Sequence, residues 1–170
     1  STYRPVAVYA SDVNGDGITE LPRAVLMAGY KDTSSSDAVY MLDWYAYGIG
    51  KVPTKVATTY QNISDAWSLL IDQKWHDRIT AIKANDGGLS YVEFFEYRKN
   101  KMSIPLFNIY CATGSNREYY AERTDLIQLG QTTQAIYFAK LTNEGEQSEL
   151  ALTGDEIKAR FSLVNQAWNN

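Results

Sequence analysis

Short apolar runs separated by polar turns dominate the chain, and several of them alternate between apolar and polar positions. The clearest alternation covers residues 38–47. One face carries Tyr40, Leu42 and Trp44, and the other carries Met41, Asp43 and Tyr45. A glycine turn at 48–50 follows, and residues 52–60 return as a second apolar run. This spacing predicts a β-hairpin over residues 38–60.

Other runs of the same kind predict further strands, with the polar stretch 31–37 as a loop. Asn85-Asp-Gly-Gly88 lies between two of these runs and is a strong hairpin signal. Pro105 predicts the beginning or the edge of a strand, because proline cannot donate to a sheet ladder. The predicted strands cover residues 4–10, 24–28, 67–71, 78–83, 89–97, 103–111, 126–129 and 135–141.

Two capping boxes predict helices. Ser115 with Glu118 indicates a short helix over 116–122, and Thr153 with Glu156 opens a longer one over 155–168. We expect one apolar stripe of the longer helix to face the sheet. This stripe consists of Ile157, Phe161, Val164 and Trp168.

Strands in meander order with a packed C-terminal helix predict an α+β fold with an antiparallel sheet. The length of 170 residues suits one domain, or one domain with an appendage. We expect a β segment over residues 1–61 and an α+β sandwich module over residues 62–170.

The composition excludes some classes of function. A net charge of −4 with scattered basic residues argues against a nucleic-acid partner, which requires clustered Lys and Arg. No apolar run approaches about 18 residues, so we expect no membrane span. Cys111 is the only cysteine, and its apolar surroundings predict a small buried hydrophobic residue.

One stretch carries chemistry. The string from Asp12 to Glu20 places oxygen-bearing side chains at loop positions one, three, five and nine, with Gly17 at position six. Calcium takes six to eight such oxygens, and a backbone carbonyl is a common additional ligand. The predicted ligands are Asp12, Asn14, Asp16, Glu20 and the carbonyl of Ile18. A plain turn rich in Asp, Asn and Gly is the alternative.

If the loop binds a metal, the metal could stabilise the fold or take part in catalysis. The catalytic alternative is a metal-dependent hydrolase that uses Asp12, Asp16 and Glu20. An EF-hand does not fit, because its twelfth position is Arg23 rather than Glu. His76 beside Asp77 suggests a catalytic triad with Ser64 or Ser68, but the chain has no nucleophile-elbow motif. We therefore expect a turn that enters a strand at this point.

Two further groups of residues have a structural explanation. Glu93 and Glu96 lie three apart on a predicted strand and so face opposite sides, unlike a glycosidase pair. The aromatic residues of the hairpin could form a platform for sugars or peptides, but we expect ordinary sheet packing. These residues are Trp44, Tyr45, Tyr47 and Tyr60.

The loop Asp12-Val-Asn-Gly-Asp-Gly-Ile-Thr-Glu20 resembles the calcium loop of FG-GAP, or integrin-type, repeats, which lies between strands of a propeller blade. With the following Leu21-Pro22 and the string Leu42-Asp-Trp-Tyr45, it is similar to the C-terminal part of surface lipoproteins of clostridia-type Gram-positive bacteria. Residues 66–168 are similar to the small α/β module of that family, which looks like a PsbP-type sandwich.

The ligand loop, together with the lack of an assembled catalytic constellation in the sequence, predicts a non-catalytic module stabilised by calcium. The resemblance implies that this module belongs to an exported protein at the cell surface, tethered by a lipid anchor upstream of Ser1. Its partner would be an extracellular glycan, a wall polymer or a protein.

Overall fold

The computed structural model describes residues 5–31 and 37–164, and nearly half of them lie in antiparallel strands. The strands in chain order are β1 (Leu21–Leu26), β2 (Tyr40–Ala46), β3 (Thr54–Asn62), β4 (Trp67–Leu70), β5 (Ile79–Asp86), β6 (Leu89–Arg98), β7 (Lys101–Thr113), β8 (Ile127–Gln131), β9 (Ala135–Leu141) and β10 (Phe161–Leu163). They form a first sheet in the order β1-β2-β3-β4-β10 and a second sheet in the order β5-β6-β7-β9-β8. The antiparallel sheet predicted from the sequence is thus confirmed.

Helices are few and short. The helix α1 covers Asn116–Ala121 and α2 covers Gly154–Arg160, with 3₁₀ turns at Gln73–Trp75 and Gly145–Gln147. The capping box of α2 is confirmed, since the Thr153 side chain accepts from the Glu156 amide and the Glu156 carboxylate accepts from the Thr153 amide. The box predicted for α1 is wrong, because the Ser115 side chain makes no capping hydrogen bond.

The predicted length of the C-terminal helix is also wrong. The helix ends at Arg160, and Phe161 begins β10, where it pairs with Leu69 of β4. Phe161 is buried as expected, but it belongs to a strand and not to the helix. Val164 is partly exposed. Trp168 lies outside the described residues.

The strand predicted over residues 4–10 is wrong for residues 5–10, which contain no strand; Arg4 lies outside the described part. An isolated antiparallel bridge joins Ser11 to Glu20 instead. This bridge closes the acidic loop and leads directly into β1.

Two tight turns shape the second sheet. Gly87 and Gly88 connect β5 to β6, and Lys99 and Asn100 connect β6 to β7. All four residues have positive φ, from 50° to 94°. Positive φ at both central residues is typical of type I′ turns, whose twist matches that of paired strands. The predicted Asn85–Gly88 hairpin is confirmed. Pro105 lies inside β7, opposite Phe95 at an irregularity of the β6 ladder.

Both sheets contribute to one hydrophobic core. The ring of Tyr60 in β3 contacts Phe94 in β6 edge-to-face, with centroids 5.4 Å apart. The Tyr137 hydroxyl in β9 donates to the Asp65 carbonyl beside β4, at 2.7 Å. The predicted boundary between residues 61 and 62 falls at the end of β3, and core residues come from both sides of it. The division into two segments stays a prediction.

The candidate site lies beside the outer face of the first sheet, which is the face opposite the shared core. Leu42 and Trp44 alternate with the core residue Met41 and so lie on this face, yet both are nearly fully buried. The Trp44 indole donates to the Thr59 hydroxyl at 2.8 Å. The predicted packing role of Trp44 is confirmed.

Candidate metal loop and the adjoining cleft

The loop after Ser11 is built around the Asp12 carboxylate. One of its oxygens accepts from the amides of Gly15 at 2.8 Å and Asp16 at 3.2 Å, and the other accepts from Gly17 at 2.8 Å. Gly17 has a φ of +84°, a conformation that glycine adopts without strain. The Asp-x-Asn-x-Asp-Gly spacing therefore produces a compact turn that wraps around one carboxylate.

The same contacts fix the charge state of Asp12. The backbone amide of Gly17, followed by those of Gly15 and Asp16, holds the pKa of the Asp12 carboxyl below its usual value. Hydrogen bonds to the ionised form favour it. Asp12 thus stays anionic, as a metal ligand must.

Glu20 differs from the other acids of the loop because it is fully buried, with 0% of its surface exposed. Its Oε2 accepts from the Val13 amide at 2.9 Å, and backbone hydrogen bonds of 2.9 and 3.1 Å join Glu20 to Ser11. Its Oε1 is buried and has no hydrogen-bond partner among the described residues. A buried carboxylate oxygen without a partner is costly, so this atom needs a cation or a donor.

Three acids come together in the loop. Carboxylate oxygens of Asp12, Asp16 and Glu20 lie within 4.8 Å of one another. Like charges this close repel, and a divalent cation between them would remove the repulsion. Hard oxygen donors of this kind suit calcium or magnesium more than the softer transition metals.

The other two predicted ligands belong to the same turn. The Asn14 amide group donates to Asp16 Oδ2 at 2.9 Å, and its carbonyl oxygen accepts from the Asp16 amide at 3.1 Å. The Ile18 amide donates to Asp16 Oδ1 at 2.8 Å. The role of Asn14 and of the Ile18 carbonyl as ligands stays a prediction.

A cleft of about 880 Å³ adjoins the loop. Residues 7–13 form its N-terminal wall, and side chains on the outer face of the first sheet form its floor, Ser162 of β10 included. Ala159 and Arg160 at the end of α2 also line it. Asp12 and Val13 belong to both the loop and the cleft. A volume of this size is typical of small-molecule and cofactor sites. The sequence did not reveal it, because its walls come from distant parts of the chain.

His76 does not line this cleft. Its Nδ1 lies 3.2 Å from the Asp77 carboxylate at an exposed turn before β5. It lines a different, smaller cleft of about 360 Å³, together with Lys55 and Arg160. The Ser64 hydroxyl donates to the Asn62 side chain. The predicted turn is confirmed.

Two other polar residues have structural surroundings. Glu96 is fully buried and accepts from the Ser148 hydroxyl at 2.7 Å and from Arg98, with Arg78 at 3.8 Å. Glu93 is partly exposed, as expected from its position on the other face. Cys111 is buried and free, and burial raises the pKa of its thiol to about 11. A thiol with this pKa is a poor nucleophile at neutral pH.

Comparison with protein-family models, curated proteins and solved structures finds no match to this chain. Within the described part of the chain, no helix has the length and apolar character needed to cross a membrane.

Proposed function

We propose that the chain is a non-catalytic module of an exported, surface-tethered bacterial protein, and that calcium stabilises its N-terminal loop. One observation carries the calcium part of the proposal. Glu20 is fully buried, and one of its carboxylate oxygens has no partner in the part of the chain that the structure describes; it lies beside two exposed aspartates in a turn with calcium-loop spacing. A cation of the calcium type would satisfy all three acids at once.

The non-catalytic part rests on what surrounds the acids. A hydrolase would need a group that moves a proton within reach of the metal. The only histidine of the chain, His76, lines a different cleft from Asp12 and forms its contact with Asp77. The three acids therefore suit a structural cation more than a catalytic one.

The finer fold and the tethering belong to the same proposal. The loop leads directly into β1, which is the arrangement expected of an integrin-type calcium loop before a blade strand. We propose a PsbP-like sandwich for residues 62–170 and a propeller-like origin for the preceding β segment. The test of tethering is the complete gene product, which should carry a lipid-attachment cysteine upstream, and protease on intact cells should remove the protein.

The calcium proposal predicts that calcium raises the melting temperature. Extracellular calcium modules have dissociation constants of about 0.1–1 mM. At about 5 mM calcium, mass action then adds roughly 1–2 kcal/mol to the free energy of unfolding. For a chain of this size the shift is about 2–8 °C, measured as the difference between melts in EDTA and in calcium. Magnesium should give a much smaller shift, because it keeps its waters.

A pair of variants makes the test specific. Asp16→Asn removes a charged ligand but keeps an acceptor for the Ile18 amide, so it should abolish most of the calcium shift and leave the metal-free melt almost unchanged. Asp86→Asn makes the same chemical change at an exposed position next to the Gly87–Gly88 turn, and should keep the full shift. Identical melts of the unmodified protein in EDTA and in calcium would exclude the metal site.

A further inference from the structure

We infer that the cleft beside the loop binds an uncharged oligosaccharide, and that the cation in the loop holds one wall of this cleft in place. The saccharide site stands on the cleft alone. Its dependence on the cation rests on the calcium loop proposed above.

The floor of the cleft carries a row of polar side chains. Gln61 of β3 pairs with Ser68 of β4, and Ser68 pairs with Ser162 of β10, so the three side chains lie side by side on the outer face. Neighbouring strands are about 4.8 Å apart, and the row therefore spans about 10 Å. Hydroxyl and amide groups both donate and accept hydrogen bonds, as sugar hydroxyls do.

Apolar side chains flank this row. Tyr9 on the N-terminal wall is 74% exposed, and Leu70, on the same face of β4 as Ser68, is 41% exposed. An exposed aromatic ring and an aliphatic side chain beside a polar row suit the mixed surface of a sugar, which has apolar C–H faces and polar edges.

The charge of the lining selects an uncharged ligand. Among the described residues of the cleft, the charged side chains are Asp12 and Arg160. Asp12 is held by the amides of its own loop and would pair with the proposed cation, and Arg160 donates to Asp72 at 2.7 Å. Neither charge is left to pair with a ligand, so an acidic or basic ligand would lose hydration without compensation.

The cation would act on the N-terminal wall. This wall, residues 7–13, contains Asp12, and it is attached to the residue before β1 through the Ser11–Glu20 bridge and the Val13–Glu20 hydrogen bond. A cation bound by Asp12 and Glu20 would link the wall to the sheet at both residues. Loss of the cation should then weaken saccharide binding and leave the polar row on the floor of the cleft unchanged.

The test is calorimetric titration of the whole chain with linear hexasaccharides of glucose, mannose and N-acetylglucosamine, in calcium and in EDTA. A hexamer of galacturonic acid serves as the charged probe, and an uncharged hexapeptide as the protein-like probe. We expect at least one neutral hexasaccharide to bind in calcium, and to bind at least several-fold more weakly in EDTA. Binding of the charged hexamer or of the peptide, with no neutral saccharide bound, would overturn the inference.

Variants locate the site. Gln61→Ala with Ser68→Ala should weaken binding by about tenfold, which corresponds to about 1.4 kcal/mol. The matched control is Gln128→Ala with Ser103→Ala, which makes the same two changes at exposed positions of the second sheet and should leave affinity unchanged. Equal affinity of both double variants would overturn the assignment to this cleft.

The outcomes separate the two proposals. A calcium-dependent melt without saccharide binding would overturn the cleft inference and leave the calcium loop in place. If the saccharide binds equally well in EDTA and in calcium, and calcium does not change the melting temperature, the saccharide site is supported. The same result would overturn the calcium-loop proposal and the proposed effect of the cation on the N-terminal wall.

Discussion

Among the residues that the structure describes, two glutamates are fully buried, and their surroundings differ. Glu96 lies between Arg98 and Arg78 and also accepts from Ser148, so its charge is compensated by the protein. Glu20 lies close to two other carboxylates, and one of its oxygens has no partner within residues 5–31 and 37–164. Burial of a carboxylate is tolerated when it is paired or coordinates a metal. At Glu20 no described residue supplies this compensation, and a bound cation would supply it.

Glu20→Gln removes the charge of this side chain and nearly keeps its shape, so it should show whether calcium binding depends on the charge. The amide keeps an acceptor for the Val13 amide and removes a buried charge, so the melt in EDTA should be unchanged or higher. The calcium-dependent shift should disappear, because a charged ligand is lost. Thermal melts in EDTA and in calcium measure both effects.

Glu96→Gln is the matched control for this variant. It leaves Arg98 and Arg78 without their buried counter-charge and should cost about 1–3 kcal/mol of stability in EDTA. It should keep the calcium shift. A full calcium shift in Glu20→Gln would show that Glu20 is not a ligand.

At this scale the sequence predicted the members of the acidic cluster, because the ligand spacing is local. It did not predict that Glu20 is buried, since burial depends on strands that pack from elsewhere in the chain. The same limit applies to Glu96, whose partner Ser148 lies 52 residues further along.

At the scale of elements, the C-terminal helix shows where the spacing of apolar residues predicts the wrong secondary structure. Ile157 and Phe161 are spaced like one helical stripe, and both are buried. The chain nevertheless leaves the helix at Phe161, because β4 offers an unpaired edge and residues 161–163 complete it. Four apolar positions could not distinguish a long helix from a short helix followed by a strand. Most of the other strands were predicted, because alternation and turn residues are local signals.

The turn between β6 and β7 offers a stability test at this scale. Lys99 and Asn100 both have positive φ, a conformation that disfavours lysine. Lys99→Asn with Asn100→Gly creates the Asn-Gly pair preferred in type I′ turns. The free energy of unfolding should rise by about 1 kcal/mol in chemical denaturation. Lys101→Asn, which makes the lysine change inside β7, should give no gain. A gain from this control equal to that of the turn variant would reject the explanation by turn conformation.

For the molecule as a whole, the sequence predicted antiparallel pairing but not two sheets that share a core. Contacts between the sheets join residues far apart in sequence, such as Tyr60 with Phe94 and Tyr137 with Asp65. No local pattern encodes which apolar faces meet. The predicted segments 1–61 and 62–170 contribute to the same core cluster, so we expect them to unfold together.

Phe161 is the residue that tests this expectation most directly. Its ring stacks on Trp67 of the first sheet, with centroids 5.8 Å apart, and lies 5.7 Å from the Tyr137 ring of the second. Phe161→Ala should cost about 3–5 kcal/mol, because it leaves a cavity between the sheets.

Denaturant unfolding followed by tryptophan fluorescence and by far-ultraviolet circular dichroism measures this loss. Both signals should change in one transition, with a slope similar to that of the unmodified protein. Leu163→Ala, in the same strand but at a position 38% exposed, should cost less than about 1 kcal/mol. Two separate transitions, or an equal loss in both variants, would show that the sheets do not form one cooperative unit around Phe161.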